Sequence, residues 1–370
     1  KNIYVNGAGE TRFLGNLIKN YVVIIYANGS GTLTLSGSNQ ISRLQCTGSS
    51  PGRVDIGDGY LYLDNVSWYP LMAYRDTVID GAGTFRITPN AAEGLAWCHV
   101  QSGKTLTINA SIRCVGGLDF FGSDGTLVLN GLNVFASNIV FNCAGIISVT
   151  KIGNRGSTGN NLGQGNRVVF NTSGGKLLYT GTGETTDRIL EINSDATLDH
   201  SGTGELIFSA DLVVGGNVKT LTLQGSGTGI GEIAGAIGPG SAATSLAKNG
   251  SGTWRLSGAN TYAGATTVSN GTLVLTGTAG SAALSSGFTV QQGGTLQLVN
   301  AAGANRSDRL GDTAPVALNG GTLSFSHAGG AADYSETVGA LVIGFGKNTI
   351  AVSQADDART SSLTFASLAH

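Results

Sequence analysis

Short stretches in which apolar and polar residues alternate recur along the whole chain. Each begins at a glycine, often continues with threonine, and places a large apolar residue at every second position. Such stretches begin at Gly31, Gly59, Gly83, Gly103, Gly125, Gly252, Gly271, Gly294 and Gly321. Because successive side chains of a strand point to opposite faces, a period of two predicts β-strands with one buried face.

The spacing of these glycines predicts how the strands are arranged. Within each run they recur at intervals of roughly 20 to 28 residues, which is typical of a solenoid in which one coil repeats. An antiparallel sandwich is the alternative, since short strands between the stretches would supply its closely spaced turns. Parallel stacking explains why the same glycine-threonine phrase, with which these stretches begin, returns at the same point of each turn. We therefore predict an all-β, right-handed parallel β-helix of roughly 15 coils.

One segment, residues 11–21, has the spacing of a short helix. Leu14, Leu17 and Tyr21 would share one side of that helix, which would then cap an end of the β-helix. Gly15 opposes this interpretation, because glycine destabilises a helix interior.

Composition narrows the class of protein. Glycine supplies 59 of 370 residues and charged residues only 12%, which indicates many turns and few surface charges. Five prolines without a Gly-X-Y period exclude collagen, and a hydrophobic content of 41% excludes a disordered linker. A net charge of −2 and no basic patch predict no nucleic-acid partner. The longest apolar run, residues 21–27, is too short to span a membrane, so we expect no direct membrane insertion.

The four cysteines all lie in the first 143 residues and leave two alternatives open. Cys46, Cys98, Cys114 and Cys143 contain no C-x-x-C pair. They are either buried as small apolar residues or joined in one or two disulfides in an oxidising compartment.

Catalytic and metal-binding residues are not expected. The complete polygalacturonase signature of Asn-x-Asp, Asp-Asp, Gly-His-Gly and Arg-x-Lys is missing, and the acidic doublet Asp356-Asp357 fits a solvated turn. The four histidines lie too far apart for metal-ligand spacing. Asp55, Asp58 and Asp124 resemble fragments of calcium turns, but single Asp-Gly pairs usually form ordinary turns. We therefore predict no catalytic residue, no metal and no cofactor.

Aromatic side chains are the strongest candidates for ligand contact. The candidate residues are Tyr60, Tyr62, Trp68 and Tyr69. Tyr60 and Tyr62 would lie on the strand face opposite Leu61 and Leu63, so burial of the leucines would expose the tyrosines. Exposed aromatic rings can stack on sugars or on another protein. The alternative is that a neighbouring loop covers them.

Residues 252–275, GTWRLSGANTYAGATTVSNGTLVL, carry a specific resemblance. They resemble the autotransporter-associated β-strand repeat, whose pattern is a G-T-apolar-x-L-S-G-x-N-T-Y-x-G strand and turn followed by T-x-V-x-x-G-x-L. The matching residues are Asn260, Thr261, Tyr262, Gly264, Thr267, Val268, Gly271 and Leu273. The resemblance implies a secreted bacterial passenger region folded as a right-handed β-helix.

Composition and this resemblance together predict three parts. Residues 1–150 form an N-terminal part rich in aromatic residues that contains the cysteines. Residues 151–245 form middle coils with polar excursions, of which residues 153–166 are the longest. Residues 246–370 form C-terminal coils with the autotransporter-type repeat.

The predicted function is an extracellular adhesive or structural rod at a bacterial cell surface. The alternative is a β-helix protein that binds or degrades polysaccharides. Residues 1–5 and 362–365 both have strand composition, and uncapped strands at the two ends would allow copies to stack into a filament. The expected partners are therefore other copies of the chain or glycans of a cell surface or matrix.

Overall fold

The structure is a computed structural model that describes residues 2–6, 9–14, 24–28, 31–48, 52–64, 70–88, 94–122, 124–172, 174–217, 219–240, 242–330, 332–355 and 358–370. Contacts divide the chain into two compact units, Lys1–Tyr179 and Thr180–His370. Strands and short turns make up the described part of both units. That part includes no helix long and apolar enough to cross a membrane. The three-part division made from composition stays a prediction.

The first unit contains 21 of the described strands. They are β1 (Asn2–Val5), β2 (Thr11–Leu14), β3 (Ile24–Ala27), β4 (Thr32–Ser36), β5 (Ser38–Ile41), β6 (Arg43–Cys46), β7 (Gly52–Asp55), β8 (Tyr60–Leu63), β9 (Leu71–Ala73), β10 (Thr77–Asp80), β11 (Thr84–Ile87), β12 (Leu95–Val100), β13 (Thr105–Ile108), β14 (Ser111–Cys114), β15 (Gly117–Phe121), β16 (Thr126–Leu129), β17 (Val134–Phe135), β18 (Ile139–Asn142), β19 (Ile146–Val149), β20 (Arg167–Phe170) and β21 (Lys176–Tyr179).

These strands form three parallel sheets, to which each coil contributes in turn. Sheet A has the order β1-β3-β6-β9-β12-β15-β18-β20, and sheet B has the order β2-β4-β7-β10-β13-β16-β19-β21. Sheet C has the order β17-β14-β11-β8-β5. Each strand pairs with the strand one coil earlier and one coil later, as in a parallel β-solenoid.

The core of the first unit consists of columns of stacked apolar side chains. In sheet B, one column joins seven buried residues at the same register position. It contains Leu33, Val54, Ile79, Ile108, Leu129, Val149 and Tyr179. Full burial of such a side chain contributes roughly 1.5–3 kcal/mol, so these columns account for much of the stability of the fold.

The second unit repeats the same arrangement. Its strands are β22 (Glu184–Thr186), β23 (Ile189–Ile192), β24 (Ala196–His200), β25 (Leu206–Phe208), β26 (Val213–Val214), β27 (Lys219–Gln224), β28 (Ile230–Ile233), β29 (Thr244–Lys248), β30 (Thr253–Leu256), β31 (Thr266–Val268), β32 (Gly271–Leu275), β33 (Phe288–Gln291), β34 (Gly294–Asn300), β35 (Val316–Asn319), β36 (Thr322–His327), β37 (Tyr334–Ile343), β38 (Thr349–Gln354) and β39 (Ser361–Ala369). Sheet D has the order β22-β25-β28-β30-β32-β34-β36-β38. A second series runs β24-β27-β29-β31-β33-β35-β37-β39, and β23 pairs with β26.

The glycine-threonine phrase lies in register in sheet D. Thr253, Thr272, Thr295, Thr322 and Thr349 stack at one outward position of successive strands. The next position carries the inward column, which contains Trp254, Leu273, Leu296 and Leu323. The sequence prediction that the same phrase returns at the same point of each turn is therefore confirmed.

The parallel pairing confirms the predicted β-solenoid and excludes the alternative fold, an antiparallel sandwich. The strands make about 13 turns, against the roughly 15 expected. The difference arises because some coils are longer than the glycine spacing indicates. One such coil inserts 17 residues between β19 and β20.

One local prediction was wrong. Residues 11–14, the start of the segment with helical spacing, form strand β2, because their backbone pairs in parallel with β4; the following residues 15–21 lie outside the described residues. Residues 153–166, predicted as a polar excursion, lie in the long connection between β19 and β20, and within them Asn160, Asn161 and Leu162 are buried. The Nδ2 group of Asn133 donates to the Asn161 carbonyl at 2.7 Å, and the Gln164 amide donates to the Phe135 carbonyl at 2.8 Å, so this loop covers the outer edge of β17.

Close stacking of glycines sets the distance between coils of sheet C. The amide of Tyr60 donates to the Gly37 carbonyl at 2.9 Å, and the amide of Thr84 donates to the Gly59 carbonyl at 3.0 Å. A Cβ at Gly59 would overlap the Gly37 carbonyl oxygen, which is a backbone atom that cannot rotate away.

We predict that Gly59→Ala destabilises the first unit by about 1–3 kcal/mol, because the coils must separate to admit the methyl group. Gly9→Ala is the matched control, since a Cβ there meets no atom within 4 Å, and it is expected to change stability by less than about 0.5 kcal/mol. Urea denaturation followed by far-UV circular dichroism measures both. Equal midpoints for the two variants would contradict the close stacking.

Candidate functional site

The outward face of sheet C carries the tyrosines predicted from the sequence. Leu61 and Leu63 are fully buried in β8, and Tyr60 is 58% exposed on the opposite face. The predicted alternation is therefore present in the structure. Whether these tyrosines bind a ligand stays a prediction.

Tyr62 is held more tightly than Tyr60. Its side chain is half-buried, and its hydroxyl oxygen accepts a hydrogen bond from the Thr88 hydroxyl at 2.8 Å. The guanidinium carbon of Arg86 lies 5.2 Å from the centre of the Tyr62 ring, which is cation–π geometry. Tyr62 therefore positions Arg86 and leaves Tyr60 as the free aromatic ring of this face.

A groove of about 320 Å³ lies beside Tyr60 on the same sheet. Its walls come from β8, β11, β14 and β17 and the turns that follow them. The lining residues are Tyr60, Thr84, Arg86, Arg113, Cys114, Val115, Val134 and Ala136. Val115 is 69% exposed, so the groove combines an aromatic ring, an aliphatic patch and two cations.

The two cations stand next to each other. Arg86 of β11 and Arg113 of β14 occupy directly paired register positions, and both are exposed. Neither guanidinium makes an ion pair with a described residue, and the groove lining contains no carboxylate. The groove therefore presents uncompensated positive charge to a ligand.

Cys114 is the one nucleophilic side chain in the groove lining. Burial raises the pKa of its thiol to about 11, and the backbone amide of Gly116 and the charge of Arg86 lower it by less. Because the thiolate is the reactive form, a pKa this high keeps the thiol unreactive at neutral pH.

The structure does not describe the other two aromatic residues predicted as ligand contacts. Trp68 and Tyr69 lie outside the described residues. Tyr74 follows β9 of sheet A, and its ring packs at 5.4 Å from the half-buried ring of His99. Of the four aromatic residues predicted as ligand contacts, Tyr60 and Tyr62 are the two that the structure describes, and their contact with a ligand stays a prediction.

In the structure the cysteines are buried as free thiols, which is the first of the two alternatives. Cys46, Cys98, Cys114 and Cys143 are all buried and all free, so the disulfide alternative is absent from it. Each is buried as a small residue in the core; Cys98, for example, pairs in register with Leu71 and Phe120 of the two neighbouring coils. Burial raises the pKa of all four thiols.

No group of three or more histidine, cysteine or acidic residues able to hold a metal occurs in the described part of the chain. Asp55, which lies in one of the fragments that resemble calcium turns, accepts a hydrogen bond from the Gly57 amide at 2.9 Å, which is the geometry of a local turn. Asp356 and Asp357 lie outside the described residues.

The residues that carry the family resemblance have structural roles. The Asn260 side chain bridges coils, accepting from the Ile237 amide at 2.9 Å and donating to the Ser281 carbonyl at 2.8 Å. The buried Tyr262 hydroxyl shares a hydrogen bond with the Thr266 hydroxyl at 2.8 Å. The repeat motif thus closes the turn between two coils, and its polar atoms are occupied by the protein itself.

Sequence reasoning missed Arg86, Arg113 and Val115. The signal was present in part, because Arg86 stands at the outward position of the phrase that begins at Gly83. The partner, Arg113, stands at the outward position of β14, a strand that does not begin with the glycine phrase. Their pairing depends on the register between β11 and β14.

Comparison with known proteins defines the class of repeat. The chain matches the family model of the passenger-associated transport repeat over residues 26–42 and 246–275. The second match includes residues 252–275, so the resemblance predicted from that stretch is confirmed. The first match extends the family-like sequence to the N-terminal part, where we had not predicted it.

One curated relative is an adhesin. Over 173 residues the chain is 32% identical to the adhesin BmaC autotransporter of Brucella suis biovar 1 (strain 1330). The aligned region covers 44% of this chain and 5% of that protein, so the chain corresponds to a small part of the relative's length. No solved structure matches the chain. The two matches support a passenger-type repeat protein that is secreted or exposed at the cell surface.

The free state of the cysteines gives a direct test. We predict that the protein, unfolded in denaturant without reductant, is alkylated at all four cysteines, and that the folded protein reacts slowly at neutral pH because burial raises the thiol pKa values. Mass spectrometry counts the adducts. Extra adducts that appear only after reduction would demonstrate a disulfide.

Proposed function

We propose that the protein is an extracellular adhesive passenger, and that the groove of sheet C contacts saccharides of a cell surface or matrix. The observation that carries this proposal is the exposed ring of Tyr60 in a groove of about 320 Å³, beside two arginines that form no ion pair with any residue the structure describes. The similarity to an autotransporter adhesin supports the adhesive role.

The scaffold suits a binding surface because it holds the groove rigidly. β8 and β11 are each hydrogen-bonded to a strand on both sides, so the backbone beneath Tyr60 and Arg86 is fixed before any ligand arrives. Tyrosine adds a large contact area at low conformational-entropy cost. Binding then requires little further ordering of the protein.

The proposal is for binding without cleavage. Glycoside hydrolysis ordinarily uses two carboxyl groups that flank the scissile bond. The lining of the sheet C groove offers arginine, tyrosine, threonine and aliphatic side chains instead. The polysaccharide-degrading alternative therefore has less support from this groove than the polysaccharide-binding one.

Tyr60→Ala is predicted to weaken adhesion to glycan-bearing cells about tenfold, since removal of a central aromatic contact typically costs 1–2 kcal/mol or more. Tyr62→Ala is expected to have a smaller effect, because Tyr62 acts through Arg86. Quantitative cell-binding assays with purified protein measure both. Tyr4→Ala is the matched control, because Tyr4 is also 58% exposed but lies in sheet A. If Tyr60→Ala adheres as strongly as the wild type, the groove does not take part in adhesion.

A second proposal concerns association between copies. At three inward register positions near the C-terminus, Ile350, Val352 and Leu368 are 41%, 49% and 69% exposed. Among the described strands, β38 pairs only with β36 and β39 only with β37, so both present a free backbone edge. We propose that the first coil of a second copy, β1 and β2, adds to these edges and covers the apolar residues.

Leu368→Lys is predicted to shift the protein toward the monomer, because a charge at an inward position cannot be covered by another coil. Sedimentation velocity over a range of concentrations measures the association. Phe345→Lys is the control, since Phe345 is 75% exposed but lies in a turn outside the strands. A wild-type protein that stays monomeric at all concentrations would overturn stacking of copies.

A further inference from the structure

We infer that the ligand of the sheet C groove is an acidic saccharide, one whose sugar units carry carboxylate or sulfate groups. The inference rests on the proposed adhesive function and names the ligand class of its groove. It is carried by the juxtaposition of Arg86 and Arg113 beside Tyr60.

The arginine pair is electrostatically unfavourable without an anion. Paired positions on neighbouring strands lie about 4.8 Å apart, and like charges directly opposite each other destabilise a sheet. Two other outward arginines in the same unit have acidic partners. Arg53 lies 3.0 Å from Asp80, and Arg12 lies 2.8 Å from Glu10. An anion between Arg86 and Arg113 would supply the partner that the groove lacks.

The groove also fixes the geometry of that contact. The Tyr62 ring lies under the Arg86 guanidinium, and Thr88 holds the Tyr62 hydroxyl, so Arg86 is oriented before the ligand binds. A guanidinium presents parallel N–H donors that match the oxygens of a carboxylate or sulfate group. A sugar ring would stack on the free face of Tyr60 while its acidic group lies between the two arginines.

The position of the groove favours a saccharide over an acidic peptide. Extended peptides often bind by adding a strand to a sheet edge, where free backbone groups pair with them. This groove lies on the face of sheet C, where the backbone groups are already paired within the sheet. At the β17 edge, the loop 153–166 already occupies backbone groups, because its Gln164 amide donates to the Phe135 carbonyl and its Asn161 carbonyl accepts from the Asn133 side chain. Side chains alone therefore meet the ligand.

The test compares acidic and neutral forms of one saccharide by isothermal titration calorimetry. An oligogalacturonate is expected to bind, whereas its fully methyl-esterified form, which keeps the shape but loses the charge, should bind at least about tenfold more weakly. Dextran sulfate distinguishes sulfate from carboxylate recognition, and binding of either polyanion supports the inference. Affinity should fall as salt is raised.

Variants locate the contact. Arg86→Gln and Arg113→Gln should each weaken binding of the preferred polyanion about tenfold, and Arg53→Gln, which removes one exposed arginine from sheet B, should leave it unchanged. Circular dichroism confirms that the variants are folded.

Three outcomes would overturn the inference. They are equal binding of the neutral ester, equal binding of poly-glutamate, and an equal loss in Arg53→Gln. If the protein adheres to cells through Tyr60 and yet binds neither polyanion, that result would overturn the inference of an acidic ligand but would not contradict the proposed adhesive function. A protein that does not adhere at all would overturn the proposed function itself.

Discussion

The rest of the structure depends on the in-register stacking of inward apolar side chains from one coil to the next. Leu61, Phe85 and Ile112 lie over one another in sheet C and are all buried. Since side chains alternate along a strand, this stacking also decides which residues point outward, and a slip of one residue would exchange the two faces. The juxtaposition of Arg86 and Arg113 is therefore a consequence of core packing. The packed column beneath such a binding surface holds its outward residues in place.

Buried cations help to close the turns between coils. The ammonium group of Lys248 donates to the carbonyls of Asn249 and Gly250 at 2.8 Å and of Asn270 at 3.0 Å. Arg309 is fully buried and donates to the carbonyls of Gly280, Gly277 and Ala304. Burial lowers the pKa of Lys248 to about 8 and that of Arg309 to about 10. Turn carbonyls have no strand partner, and each of these cations donates to several of them at once, which offsets part of the cost of burying the charge.

More of the fold than of the candidate site could be predicted from the sequence. A period of two and a repeating glycine phrase are local signals, and they predicted the strands, the parallel stacking and the exposure of Tyr60 opposite Leu61. The polar composition of the loop 153–166 predicted an excursion from the coils but did not indicate that the Asn161 side-chain amide is buried, where it accepts from the Lys151 amide and donates to the Gly131 carbonyl. Arg86 and Arg113 were missed for a different reason. They are 27 residues apart in a chain whose coils vary in length, so their adjacency depends on turn geometry that composition does not reveal.

The alternation that builds the column also separates stability from recognition. Leu61 is fully buried and Tyr60, its neighbour in the same strand, is 58% exposed, so the two residues face different selective demands. A change at an inward position such as Leu61 disturbs the packing of adjacent coils, whereas a change at an outward position leaves the column intact. Ligand specificity can therefore vary along the outward rows of sheet C without loss of the fold. Because neighbouring rows are only about 4.8 Å apart, two or three coils suffice to bring together an aromatic ring and two cations, and a solenoid can acquire a new binding surface by changing a few outward residues.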